Sequence, residues 1–243
     1  MSGPRIAVLT APGSNREGEA ARAVTLAGGA ATIVAIGDPI DRFDAAILPG
    51  GFSYGDALGA GMRWAFETGE TMRAFAAAGK PVLGICNGFQ ALVRAGLLPG
   101  DGPAAGPEHE RTVTLTTNIQ GRFVCRWVAL AVAPGNAAGL GRRLPAVIAC
   151  PVAHGEGRLA VRDAATLDAL AANGNVLFRY VEGTNPNGSV GDIAGLCDRQ
   201  GLVWGLMPHP EDHIVDMQNP FPHRRGRCGL ALFEAFVSRA RAL

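Results

Sequence analysis

Short apolar runs alternate with amphipathic stretches through the first hundred residues of this chain. Residues 5–10, 31–36, 45–48 and 81–85 are compact apolar runs bounded by Gly, Pro or polar residues, the pattern of buried strands. A helix is predicted from the turn Ala11-Pro12-Gly13-Ser14-Asn15 to about Leu26, with Ser14 or Asn15 as its N-cap and Gly28-Gly29 as its stop. Residues 60–78 read as mainly helical. After 81–85, Phe89, Leu92 and Val93 recur at helical spacing until Gly96. Strand and helix in alternation predict a parallel sheet with helices on both faces.

Beyond residue 98 the pattern changes. Residues 99–110 are a Gly/Pro-rich loop, and 112–117 and 123–132 read as strands with no helix between them. A strand at 148–153, a helix at 164–172 and a strand at 176–181 follow. Gly183-Thr184-Asn185-Pro186-Asn187-Gly188-Ser189 is a strong loop signal, and the polar loop from Gly183 to Gly191 is a candidate partner surface. Residues 193–196 and 202–207 form a predicted hairpin around Asp198-Arg199-Gln200-Gly201, and a last helix covers 228–241. No repeat or linker interrupts residues 1–243, so a single α/β domain is expected, with antiparallel strands added to a mostly parallel sheet.

Composition narrows the function classes. Among 243 residues, 48% are hydrophobic and the formal net charge is +1, so a sizeable core can form and nothing favours nucleic acid. The five cysteines (Cys86, Cys125, Cys150, Cys197, Cys228) form no Cys-x-x-Cys pair, which argues against a disulfide scaffold or zinc ribbon and for a reducing, cytoplasmic setting. No signal peptide or membrane-spanning run is evident, so no membrane association is expected.

Gly84-Ile85-Cys86-Asn87-Gly88 carries the most chemistry. An apolar strand runs directly into Cys86 and a helix leaves it, which holds the sulfur at the tip of a tight turn. The helix N-terminus favours thiolate over thiol. A nucleophilic cysteine needs a base and a group to orient that base. His209-Pro210-Glu211 fits: the strand at 202–207 delivers it, prolines fix the backbone around His209, and alternation in an extended segment puts Glu211 on the same side. An exposed N–H near Gly50-Gly51 could join that of Asn87 as an oxyanion hole.

Other motifs compete. Gly51-Phe52-Ser53-Tyr54-Gly55 matches the Gly-x-Ser-x-Gly elbow of serine hydrolases, but no apolar strand runs straight into Ser53. His154-Gly155-Glu156 is a second His-x-Glu, set among glycines. The spacings His209/His213 and Cys150/His154 are weak metal signals, and no metal site is expected. His213, His223 and His109 are read as surface or core residues, and Cys125, Cys150, Cys197 and Cys228 as small buried hydrophobes.

Taken together, Pro49-Gly50-Gly51-Phe52-Ser53-Tyr54-Gly55-Asp56, Gly84-Ile85-Cys86-Asn87-Gly88-Phe89-Gln90 and Met207-Pro208-His209-Pro210-Glu211 resemble the class I glutamine amidotransferase family. Phe123-Val124-Cys125-Arg126-Trp127, Ala153-His154-Gly155-Glu156-Gly157 and Asn187-Gly188-Ser189 extend the resemblance over nearly the whole chain, and the runs Gly51–Asp56 and Asn87–Gln90 narrow it to the branch serving purine synthesis. It implies a flavodoxin-like α/β fold, Cys86 as nucleophile, His209 as base, Glu211 as its orienting partner, Gly51 and Asn87 as oxyanion donors, and Gln90 facing the glutamine substrate. It also implies no cofactor in this chain, with ATP and Mg held by a synthetase subunit that receives the ammonia, and a small accessory subunit in the same complex. The sequence departs from the family where Asp212-His213 follow Glu211 in place of a frequent Arg. It departs again at Ala57 and Gly59, where a larger aromatic and an Arg are common.

Overall fold

The structure, a computed structural model, describes residues 3–53, 59, 61–100, 111–221, 226 and 228–242. Its centre is a nine-stranded sheet. In chain order the elements are β1 (Arg5–Thr10), α1 (Glu17–Leu26), β2 (Ala30–Ala35), β3 (Ala45–Leu48), α2 (Met62–Ala77), β4 (Val82–Ile85) and α3 (Asn87–Arg94). Then come β5 (Val113–Thr116), β6 (Val124–Val132), β7 (Val147–His154), β8 (Arg158–Val161), α4 (Ala164–Ala172), β9 (Val176–Val181), β10 (Ile193–Cys197), β11 (Val203–Leu206) and α5 (Leu230–Arg241). The sheet order is β2-β1-β3-β4-β11-β10-β9-β6-β7, and β5 pairs with β8 in a separate two-stranded ribbon.

The strands β2, β1, β3, β4 and β11 are parallel, and every later pairing is antiparallel. This is the mixed sheet that the sequence pattern predicts. β3, β4 and β11 are buried along their whole length, as unbroken apolar runs require when both faces of a parallel sheet are covered. α1 and α5 pack together, with Trp204 of β11 edge-on to Phe236 of α5 at 5.4 Å. α2 and α3 pack together, and α3 lies on β3, β4 and β11.

Two features differ from the sequence reading. Helix α1 begins at Glu17 and has no side-chain cap. Ser14 instead closes its own turn, its Oγ accepting from Ala11 N–H at 3.1 Å and donating to Ala11 O at 2.9 Å. The strand β8 was not anticipated: four residues after a glycine pair carry too little periodicity to stand out.

The antiparallel half curls back over the C-terminal ends of the parallel strands. Four inter-strand steps separate β11 from β7, roughly 19 Å across a flat sheet. Yet His209 N–H, three residues past β11, donates to Pro151 O of β7 at 2.8 Å. This curl sets the end of β7 beside the end of β4. Among the described residues no helix is long and apolar enough to cross a membrane.

Candidate active site

Cys86 occupies the bend between β4 and α3. Its N–H donates to Leu206 O of β11 at 2.8 Å and its carbonyl accepts from Gln90 N–H at 3.0 Å, so sheet and helix grip it from both sides. Its backbone is left-handed, with φ 50° and ψ −104°, a strain of about 1–3 kcal/mol for a residue with a Cβ. The next glycine makes the bend possible: a Cβ on Gly88 would stand 1.9 Å from Leu48 O. The Cys86 thiol points toward Ala153 O of β7, 3.8 Å away.

The strand β11 delivers His209 to the same place. Its Nδ1 lies 2.7 Å from Glu211 Oε1, and both side chains are buried. Pro210–Asp212 form a single 3₁₀ turn, so Glu211 reaches the imidazole by a turn and not by strand alternation as the sequence reading had it. Pro210 starts that turn with its φ already set. The imidazole Nε2 has no hydrogen-bond partner among the described residues, and the Cys86 thiol acts on this same ring. Burial disfavours the imidazolium, but Glu211 and Cys86 outweigh it and hold the His209 pKa well above its ordinary value.

Gly50 and Gly51 line the opposite side. A Cβ on Gly50 would meet His209 Cε1 at 2.6 Å, so only glycine lets the imidazole settle there. Gly51 has φ 151° and forms an isolated antiparallel bridge with Ser14. Asn15 N–H donates to Gly50 O at 3.3 Å and Phe52 N–H to Gly13 O at 2.9 Å. Those bonds leave the Gly51 N–H out of the bridge. Gln90 is buried and its amide is engaged: Oε1 accepts from Asn87 Nδ2 at 3.0 Å, and Nε2 donates to Glu156 O at 2.6 Å.

The second His-x-Glu does not form a dyad with its own glutamate. His154 Nδ1 pairs with Asn118 Oδ1 at 3.1 Å. Asn118 Nδ2 donates to His154 O at 2.8 Å, and Asn118 Oδ1 also accepts from Gly157 N–H at 3.1 Å. Burial, with the charge of His209, lowers the His154 pKa to about 4. The sequence reading missed Asn118 entirely; an asparagine in a loop offers no periodic signal.

Ser53 is buried with no partner for its Oγ among the described residues, no strand leads into it, and residues 54–58 lie outside the described set. His213 is fully buried, its Nδ1 against Ala149 O, whereas His109 and His223 lie outside the described residues. Cys150 and Cys197 are buried as expected, but Cys125 is exposed and Cys228 half-buried. The start of β6, where Cys125 sits, pairs with β7 alone, because β9 joins only from Ala129 onward. No group of three His, Cys, Asp or Glu placed to hold a metal occurs among the described residues.

A strained cysteine at a strand–helix bend, a histidine–glutamate pair and two candidate oxyanion N–H groups are the groups that an amidotransferase-type acyl transfer requires. Residues 3–238 match the CobB/CobQ-like glutamine amidotransferase domain, and the chain belongs to the glutamine amidotransferase family. Its relatives include the phosphoribosylformylglycinamidine synthase subunit PurQ of Treponema denticola, 41% identical over 94% of this chain and 95% of that protein. The PurQ subunit of Rhodococcus jostii is 47% identical over 89% of this chain and 91% of that protein. Among solved structures, a chain of PurLQS from Thermotoga maritima superposes with a TM-score of 0.78 at 33% identity, covering 97% of this chain and 98% of that one.

Proposed function

We infer that this chain is a glutaminase: it hydrolyses glutamine to glutamate and ammonia and supplies the ammonia to an ATP-dependent synthetase subunit. That subunit converts formylglycinamide ribonucleotide to formylglycinamidine ribonucleotide in purine biosynthesis. Relatives named as PurQ subunits of phosphoribosylformylglycinamidine synthase, over almost their whole length, support the reaction. The likeness to a PurLQS chain supports the complex. ATP and Mg are assigned to the synthetase subunit, and a small accessory subunit completes the assembly.

The single observation that carries the chemistry is the buried His209–Glu211 pair at 2.7 Å with Cys86 beside the same imidazole: a Cβ on Gly50 would stand 2.6 Å from His209 Cε1 and 3.5 Å from Cys86 Cβ. His209 takes the thiol proton and the sulfur attacks the carboxamide carbon of glutamine. The oxyanion of the tetrahedral intermediate is held by the N–H groups of Gly51, which follows β3, and Asn87, which opens α3. As the C–N bond breaks, His209 returns its proton to the departing nitrogen, giving ammonia and a thioester. His209 then deprotonates a water, which hydrolyses the thioester to glutamate and restores the thiol. Glu211 fixes the imidazole tautomer and stabilises its charged form. Gln90 retains one N–H and one lone pair beyond its bonds to Asn87 and Glu156, which fits it to contact the substrate.

A diazo-ketone analogue of glutamine should alkylate Cys86, read by mass spectrometry, and Cys86→Ala should abolish glutaminase activity while leaving the fold intact. Labelling elsewhere, or turnover by Cys86→Ala near the wild-type rate, rejects the assignment.

A further inference from the structure

The two oxyanion donors sit on different elements. Gly51 follows β3 and Asn87 opens α3, so something must set their spacing to within about half an ångström. One face of the Gly51 segment is held by the turn at Gly13–Asn15 through the two backbone bonds described above. The other face is held by a side chain. Ser53 N–H, two residues beyond Gly51, donates to Asn87 Oδ1 at 3.1 Å in a buried contact. One residue thus carries an oxyanion N–H on its backbone and, on its side chain, the tether to the segment carrying the other.

This tether has a fixed polarity. Asn87 Nδ2 donates to Gln90 Oε1 at 3.0 Å, and Gln90 Nε2 donates to Glu156 O at 2.6 Å. The chain begins at a backbone N–H, which can only donate, and ends at a backbone carbonyl, which can only accept. Flipping either amide would set donor against donor or acceptor against acceptor at two contacts. Both side chains are almost completely buried, Asn87 at 1% exposure and Gln90 at 4%, so water could not relieve such a mismatch. The far anchor, Glu156 O, lies two residues past β7, in the segment that the curled sheet brings over the nucleophile.

We propose that the Asn87 side chain is a positioning group for the oxyanion hole, holding the Gly51 segment in register with the Asn87 N–H and locked in orientation by Gln90 and Glu156. The proposal rests on the reading of Gly51 and Asn87 as oxyanion donors. It makes the asparagine after the nucleophile a requirement for the rate of the chemical step and not for substrate affinity or thiol reactivity.

The test is glutamine hydrolysis by Asn87→Ala, with the synthetase subunit present. Truncation leaves the backbone N–H in place but releases Ser53 and Gln90. The expected result is a kcat lower by about 100-fold, the scale of one lost oxyanion donor, with KM and the rate of Cys86 alkylation by iodoacetamide within about three-fold of wild type. A purely structural role would move KM, alkylation rate and melting temperature together, and that result overturns the proposal. Gln90→Met is the second variant: it keeps the Ser53 bond but unlocks the Asn87 amide, and kcat should fall by about ten-fold whatever happens to KM. A wild-type kcat in either folded variant overturns the proposal. Failure of the underlying catalytic reading shows separately, as wild-type protein whose Cys86 is not labelled by the diazo-ketone analogue.

Discussion

His154 and His209 are buried around one centre and are shifted in opposite directions. The low pKa of His154, about 4, means that the folded protein holds this ring neutral while the unfolded chain takes up a proton near pH 6.5. Its contribution to stability is therefore intact above pH 6.5 and is lost as pH falls from there toward 4. The loss amounts to on the order of 3 kcal/mol. His209, held above its ordinary value by Glu211 and Cys86 against the cost of burial, has the reverse sign: its contribution is full below pH 6.5 and fades as pH rises through its raised pKa. Urea unfolding at pH 7 and pH 4.5 should show wild type losing more stability on acidification than His154→Gln; equal losses would refute this account. Ser53→Ala should keep most activity in a steady-state glutaminase assay, because it removes a buried hydroxyl with no partner among the described residues and preserves the Ser53 N–H bond to Asn87. Gly50→Ala should be nearly inactive by the same assay, since its Cβ would displace the His209 ring.

Among the elements, the segment after β9, read from sequence as a polar partner surface, has a buried centre and an exposed rim: Pro186, Asn187 and Ser189 are buried, while Gly183, Gly188 and Gly191 are exposed. Asn187 is fully buried, with Nδ2 donating to Gly157 O at 2.7 Å, and Oδ1 accepting from Ser189 N–H and Oγ–H at 3.0 and 2.8 Å. Its carbonyl accepts from Ile119 N–H at 2.9 Å. The loop thereby clamps the 154–157 turn. Asn187→Ala should lower unfolding free energy by about 1–3 kcal/mol in urea titration, because it strands buried groups on both Gly157 and Ser189. Unchanged stability with weakened complex formation would favour a partner-contacting role for this loop over a structural one. The sequence made the parallel half visible because each strand there is a short apolar run with a helix after it, and the Cys86 bend announces itself by its flanking glycines. The antiparallel half was visible as strands but not as a curl. Closure over the site depends on contacts such as His209 with Pro151, between residues 58 positions apart, which no local pattern encodes. For the same reason His209 and Glu211 could be named from Pro-His-Pro-Glu, while Asn118 and the Ser53–Asn87–Gln90–Glu156 chain could not.

For the whole molecule, the reading separates ammonia production from ammonia use. Reconstituted with the synthetase subunit, the Cys86→Ala variant should fail to make formylglycinamidine ribonucleotide from glutamine yet succeed when ammonium salt replaces it. Product formation assayed with each nitrogen source checks this; failure with both would mean that Cys86 matters for something other than releasing nitrogen.

The interleaved strand order also bears on how the protein comes into being. The bend at Cys86 leaves the ribosome well before the strand that pairs with β4 and carries in His209. On the proposed reading, a nascent chain that ends between the two has the sulfur and lacks the base that deprotonates it. Glutamine is then safe from wasteful turnover until that strand has been made.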